Sequence, residues 1–74
     1  MRMQTQGNKR MSVDNMRIGK SYFLKNHGEK TSFLILETEG RNDFKIKDHL
    51  SLEIYLFGEL IQYGIGEDFE LYEI

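Results

Sequence analysis

Residues 49–64, HLSLEIYLFGELIQYG, admit two secondary structures, and the fold class turns on which one forms. Leu50, Ile54, Phe57 and Ile61 recur at spacings of four, three and four, the period of one helical face. Asp48 in front and Gly64 behind have the chemistry of an N-cap and a C-cap. That choice makes an α+β domain: a three-stranded antiparallel sheet, one helix over 49–63 and a final strand. Two features oppose it. Leu52, Tyr55, Leu56 and Leu60 fall on the other side, so the helix would be apolar nearly all round in a chain too short to surround it. Gly58 stands at its middle, at a cost of roughly 1 kcal/mol relative to alanine. The pattern favours a strand over 52–57 and a short helical turn over 59–63, stopped by Gly64.

The flanks carry a β pattern in both directions. Downstream, Gly64 and Gly66 make a chain-reversal corner, glycine supplying backbone angles closed to other residues. The corner follows a turn instead of opening a helix, so it lacks the amide array that holds a phosphate. Residues 67–74 form a strand with Phe69 and Leu71 on one face and Tyr72 and Ile74 on the other. The change of face near Tyr72 predicts a bulge or the end of pairing there.

Upstream, residues 44–48 alternate cleanly, Phe44 and Ile46 inward and Lys45 and Lys47 outward, after a turn at 40–43. Residues 31–39, TSFLILETE, are apolar on both faces, as suits a central, strongly bent strand of a small barrel. Before them come a polar loop over 26–30, with Gly28 at its positive-φ position, and a strand beginning at Ser21. In that strand Tyr22 and Leu24 share one face, with Ser21, Phe23 and Lys25 on the other. The expected fold is all-β: five strands with one helical turn before the last.

The chain has 74 residues, 39% hydrophobic and 30% charged, with no cysteine and no proline. That describes one small globular domain, over 17–74, without disulfide or thiolate-metal chemistry. Two histidines, His27 and His49, are too few for the common closed zinc sites, and no metal or cofactor is expected. Residues 1–16, MRMQTQGNKRMSVDNM, lack either period and are expected to be a disordered basic tail. Met11 and Met16 are alternative starts for the chain. No apolar stretch is long enough to span a bilayer and no signal-peptide core precedes the domain, so a cytoplasmic location is expected, with no membrane partner.

Charge is segregated along the chain. Arg2, Lys9, Arg10, Arg17 and Lys20 against Asp14 make residues 1–20 net +4. Residues 51–74 carry Glu53, Glu59, Glu67, Asp68, Glu70 and Glu73 with no base, net −6. A solvated tail beside a solvated acidic face accounts for this, and the clustered acids at 67, 68 and 70 read as guards of an exposed sheet edge.

IGKSYFL, the central hairpin TSFLILETEGRNDFKIKD, and GELIQYG before DFELYEI follow one another in the order of an SH3-like or Tudor-like small barrel, and the chain resembles that class over 17–74. It is also similar to short uncharacterised bacterial proteins ending in a tyrosine-Gly-x-Gly-acid-aromatic stretch, here Tyr63 to Phe69. The resemblance implies a five-stranded barrel and a binding module, because SH3-like barrels are mostly that. The chain departs from peptide-binding members in lacking their tryptophan and prolines, and no aromatic cage can be assigned.

Function then rests on surface chemistry. No nucleophile elbow, P-loop, zincin or dinucleotide fingerprint occurs. Serines, histidines and acids are present, but a triad is recognised by geometry, and the chain is expected not to be an enzyme. Phe23, Tyr55, Phe57, Tyr63 and Tyr72 cannot all point into so small a core, so some are expected to form an exposed patch for a protein partner or a second copy. The alternative is weak nucleic-acid binding through Lys20, Lys25, Lys45, Lys47 and the basic arm.

Overall fold

Tyr22, Leu24 and Asn26 point inward from β1 (Ser21–Asn26), and Phe33 and Ile35 from β2 (Glu29–Glu39). Ile46 does so from β3 (Asp43–Asp48) and Leu71 from β5 (Glu70–Glu73). Period-two alternation thus delivers one apolar face. With β4 (Ile54–Leu56) these strands form one antiparallel sheet in the order β4-β3-β2-β1-β5. Four strands make a meander, and β5 returns to pair with β1. The computed structural model describes residues 11–74. Its helical parts are two 3-10 turns, Val13–Asn15 and Phe57–Ile61.

The core is Met16, Tyr22, Leu24, Phe33, Ile35, Ile46, Phe57, Phe69 and Leu71. Phe57 is its link between turn and sheet, with its ring 5.7 Å from that of Phe33 and 6.4 Å, edge-on, from that of Phe44. The buried Tyr22 hydroxyl accepts the Arg17 N–H at 2.8 Å, so its polar end is satisfied.

Several expectations are corrected. Residues 49–63 are not one helix: a loop, β4 and a 3-10 turn follow one another there. The strand expected over 52–57 is shorter, because Leu52 takes the left-handed conformation at φ 66 and its N–H bonds back to the Asp48 carbonyl at 2.8 Å. The bulge lies at Leu36, where the β2–β3 register shifts between Ile35 and Glu37. At Tyr72, pairing with Phe23 continues unbroken.

The polar loop over 26–30 shrinks to the two-residue turn His27-Gly28, at φ 51 and 82, the signs a type I′ hairpin turn needs. The tail expected over 1–16 is folded from residue 11. The Met11 N–H donates to the Leu71 carbonyl at 3.1 Å, Ser12 caps the first 3-10 turn, and Met16 is buried in the core. Residues 1–10, with Arg2, Lys9 and Arg10, lie outside the described residues. Among the described residues no helix is long and apolar enough to cross a membrane.

Candidate contact surface

The strand register sorts the outward side chains into rows. One row crosses the whole sheet: Ile54 on β4 opposite Lys47 on β3, Lys47 opposite Leu34 on β2, and Leu34 opposite Ser21 on β1. Ile74 follows, its N–H bonded to the Ser21 carbonyl at 3.0 Å. Ile54 and Ile74 close the two ends of the row, 57% and 60% exposed. The neighbouring row is Ser32, Phe23 and Tyr72, and its two rings stack in a tilted pair with centroids 5.1 Å apart.

His49 lies between the two rows. Its N–H donates to the Ser32 carbonyl at 2.9 Å, and its Nε2 lies 2.9 Å from the Ser21 hydroxyl. The imidazole therefore reaches from the end of β3 across the outer side of β2 to β1. The turn that carries it is held by Asp48. One carboxylate oxygen accepts the N–H groups of Leu50 and Ser51 at 2.8 and 3.1 Å, and the other accepts the Tyr55 hydroxyl at 2.9 Å. Burial pushes Asp48 up, but the two amides, the phenol and the nearby His49 outweigh it and hold the carboxyl below its ordinary value. Burial, with Asp48 beside it, pushes the Tyr55 hydroxyl well above the usual phenol range. Leu50, 94% exposed, stands at the tip of this fixed turn. The Ser21–His49 pair has no third group of a catalytic triad in Asp48, whose oxygens are committed to the turn and to Tyr55.

The five expected aromatics do not form one patch. Phe23 and Tyr72 meet on the outer face. Phe57 is only 1% exposed and belongs to the core, which corrects its place in the surface set. Tyr55 is half-buried with its hydroxyl engaged. Tyr63, 85% exposed, stands apart, at a cleft of about 350 Å³ between the first hairpin and the second 3-10 turn, with Leu24, Leu60, Glu29, Glu59 and Gln62.

The lysines are similarly divided. Lys25, Lys45 and Lys47 have outward register, but Lys25 is opposite Glu70 and Lys45 forms an ion pair with Glu37 at 3.0 Å. That bond raises Lys45 above its ordinary value. Lys20 is exposed just before β1.

The glycine corner turns the chain, as expected, by two different means. Gly64 has φ 94. Gly66 instead is closely approached: a Cβ there would stand 2.9 Å from the His27 ring. Sequence reasoning missed the residues that tie this corner down. Asn26, buried, donates to the Leu60 and Gly64 carbonyls at 3.3 and 3.1 Å and accepts the Gly66 N–H at 2.9 Å. Asp68, expected to guard an edge, accepts the N–H groups of His27 and Gly28 at 2.9 and 2.8 Å. The Gly28 amide is the main reason its carboxyl sits below the ordinary value; burial opposes the shift, and the His27 amide and Lys25 add to it. The only sequence signal for Asn26 was its inward parity with Tyr22 and Leu24.

No family model, curated protein or solved structure matches the chain.

Proposed function

We propose that this domain is a non-catalytic, cytoplasmic contact module that associates with a second copy of itself through the outer face of its sheet. The observation that carries it is the row from Ile54 to Ile74, which crosses β4, β3, β2 and β1 and ends just past β5, with an exposed isoleucine at each end. The sheet order, with a 3-10 turn before the last strand, supports an SH3-like barrel as the finer fold, by analogy a class of binding modules.

A second copy suits the face because a nine-residue core is small, and domains of this size commonly gain stability by oligomerising.

Sedimentation of the purified chain over a range of concentrations tests this. A dimer that dissociates on Ile54→Asp or Ile74→Asp is expected. A monomer at every concentration, or a dimer indifferent to both substitutions, overturns it.

A second reading has one observation behind it: Lys25 and Lys47 share the outer face with the Phe23–Tyr72 pair, the combination that single-stranded nucleic acid uses. Retention on a polyphosphate matrix at low salt, lost as salt rises, would favour it over self-association. No retention at low salt removes it.

A further inference from the structure

We propose that two adjoining acidic clefts beside the second 3-10 turn hold an extended basic peptide of another protein, one lysine or arginine side chain in each. This goes beyond the pairing of copies and uses another part of the surface. Strand register builds the first wall: Leu24 is opposite Thr31 and Asn26 opposite Glu29, so all four stand on the inward side of the first hairpin, towards its turn. The second 3-10 turn and the residues after it supply the facing wall, Glu59, Leu60, Gln62 and Tyr63, around a cleft of about 350 Å³. Glu59, Leu60 and Gln62 also line a second cleft, of about 550 Å³, with Glu53, Ile54 and Tyr55 on its other side. The two clefts meet along those three shared residues.

Charge selects the occupant. Glu29 and Glu59 line the first cleft, Glu53 and Glu59 the second, and neither lining includes a lysine or arginine. All three carboxylates are exposed, and among the described residues none of them forms an ion pair. Burial and Asp48 are the main causes that push the Tyr55 hydroxyl up, and Glu59 and Glu53 add to the shift, so both carboxylates stand within electrostatic reach of that ring. Each cleft thus offers what an ammonium or guanidinium on an alkyl stem uses: carboxylates for the charge, a tyrosine ring, and apolar surface for the methylenes. That surface is Leu24 and Leu60 in the first cleft and Ile54 and Leu60 in the second. The choice of a peptide follows from β4, which is an edge strand with β3 on one side only. An edge presents backbone N–H and C=O groups to an incoming extended chain. Alternate side chains of such a chain point the same way, so basic residues two apart reach adjoining clefts.

The test is fluorescence anisotropy of the full chain at low salt with a labelled, terminally blocked peptide that alternates lysine and serine. Counterparts carry leucine or glutamate in place of lysine, and N-acetyl-lysine amide serves as a free competitor. Binding of the lysine peptide alone is expected, weakened about tenfold in Glu29→Gln/Glu59→Gln and severalfold in Tyr63→Ala. Glu39→Gln/Glu73→Gln removes the same charge at exposed positions outside both clefts and should bind as the wild type does. No binding of the lysine peptide, equal binding of the leucine peptide, or an equal loss in the control pair overturns the proposal. A lysine amide that binds as tightly as the peptide reduces the site to a cation pocket and overturns it too. Ile74 lies outside both clefts, so Ile74→Asp should still bind peptide, and the failure of pairing and the failure of peptide binding are read separately.

Discussion

Asp68 receives the backbone N–H groups of both residues of the first hairpin turn, so one carboxylate joins β1 and β2 to the loop that leads into β5. Its carboxyl is held below the ordinary value, first by the Gly28 amide. A depressed carboxyl contributes stability that is fully present above its unfolded-state value and is lost as pH falls through its folded one. Asp68→Asn, which removes the charge and one acceptor, is therefore expected to lower the denaturation midpoint at pH 7. Its midpoint should converge on that of the wild type below about pH 4, the ordinary aspartate range. A gap between the two that stays constant into acid would show that the charge is not what holds the turn. Asn26 works on the same corner without a charge. Asn26→Ala removes three part-buried hydrogen bonds, to the Leu60 and Gly64 carbonyls and from the Gly66 N–H, at an expected cost of about 1–3 kcal/mol at any pH, read from chemical denaturation. Neither role was legible beforehand. Aspartate in a run of acids and asparagine before a turn are both common surface choices, and only the fold brings residues 26 and 66 together.

The element whose identity was hardest to read, the second 3-10 turn, is capped from outside itself. Its N-cap residue, Leu56, offers no side-chain bond. The need is met by Asp43 at the start of β3, whose Oδ1 accepts the Gly58 N–H at 2.9 Å and its neighbour's, Phe44, at 2.8 Å. A Cβ on Gly58 would stand 2.7 Å from Asp43 Oδ2, so Gly58→Ala drives the carboxylate away and loses the same bond that Asp43→Ala removes. Hydrogen bonds to a charged group are worth about 1.5–3 kcal/mol, and Asp43→Ala is expected to cost that much. The double variant should cost little more than the larger single one, because residues sharing one bond are not additive. Additive losses in a denaturation cycle would break the link. Asp48 shows why the sequence left this region open. Its carboxylate accepts amides two and three residues on, the helix-capping pattern, but here it closes a turn that Leu52 redirects at φ 66. Asp48 advertises a cap in either case, and nothing in its neighbours says whether a helix or a turn receives it. The alternation of β3 was legible because Phe44 and Ile46 stand against Lys45 and Lys47, whereas β2, apolar on both faces, showed a strand without showing which side is inward.

At the scale of the molecule, β4 and the turn after it divide the work of the domain between two faces, and the division hangs on register. Residues 52–57 are apolar at odd and even positions alike, so alternation could not say which set points inward. Pairing of Ile54 with Lys47 and of Tyr55 with Ile46 decides it, since a slip of one residue exchanges the faces. Ile54 thereby goes to the outer face and Phe57 to the core. Substitutions three residues apart should then behave in opposite ways. Phe57→Ala removes a ring packed on Phe33 and Phe44 and costs about 3–5 kcal/mol. A core in a domain of this size supplies about 3–5 kcal/mol in all, so that variant should lose its cooperative thermal transition. Ile54→Asp should keep the transition and lose something else. Where folding is coupled to pairing, the unfolding temperature rises with protein concentration, and only the wild type should show that rise. Circular dichroism melts over a hundredfold concentration range read both effects. A cooperative Phe57→Ala would place the core elsewhere, and an Ile54→Asp melt as concentration-dependent as the wild type would take Ile54 out of the contact.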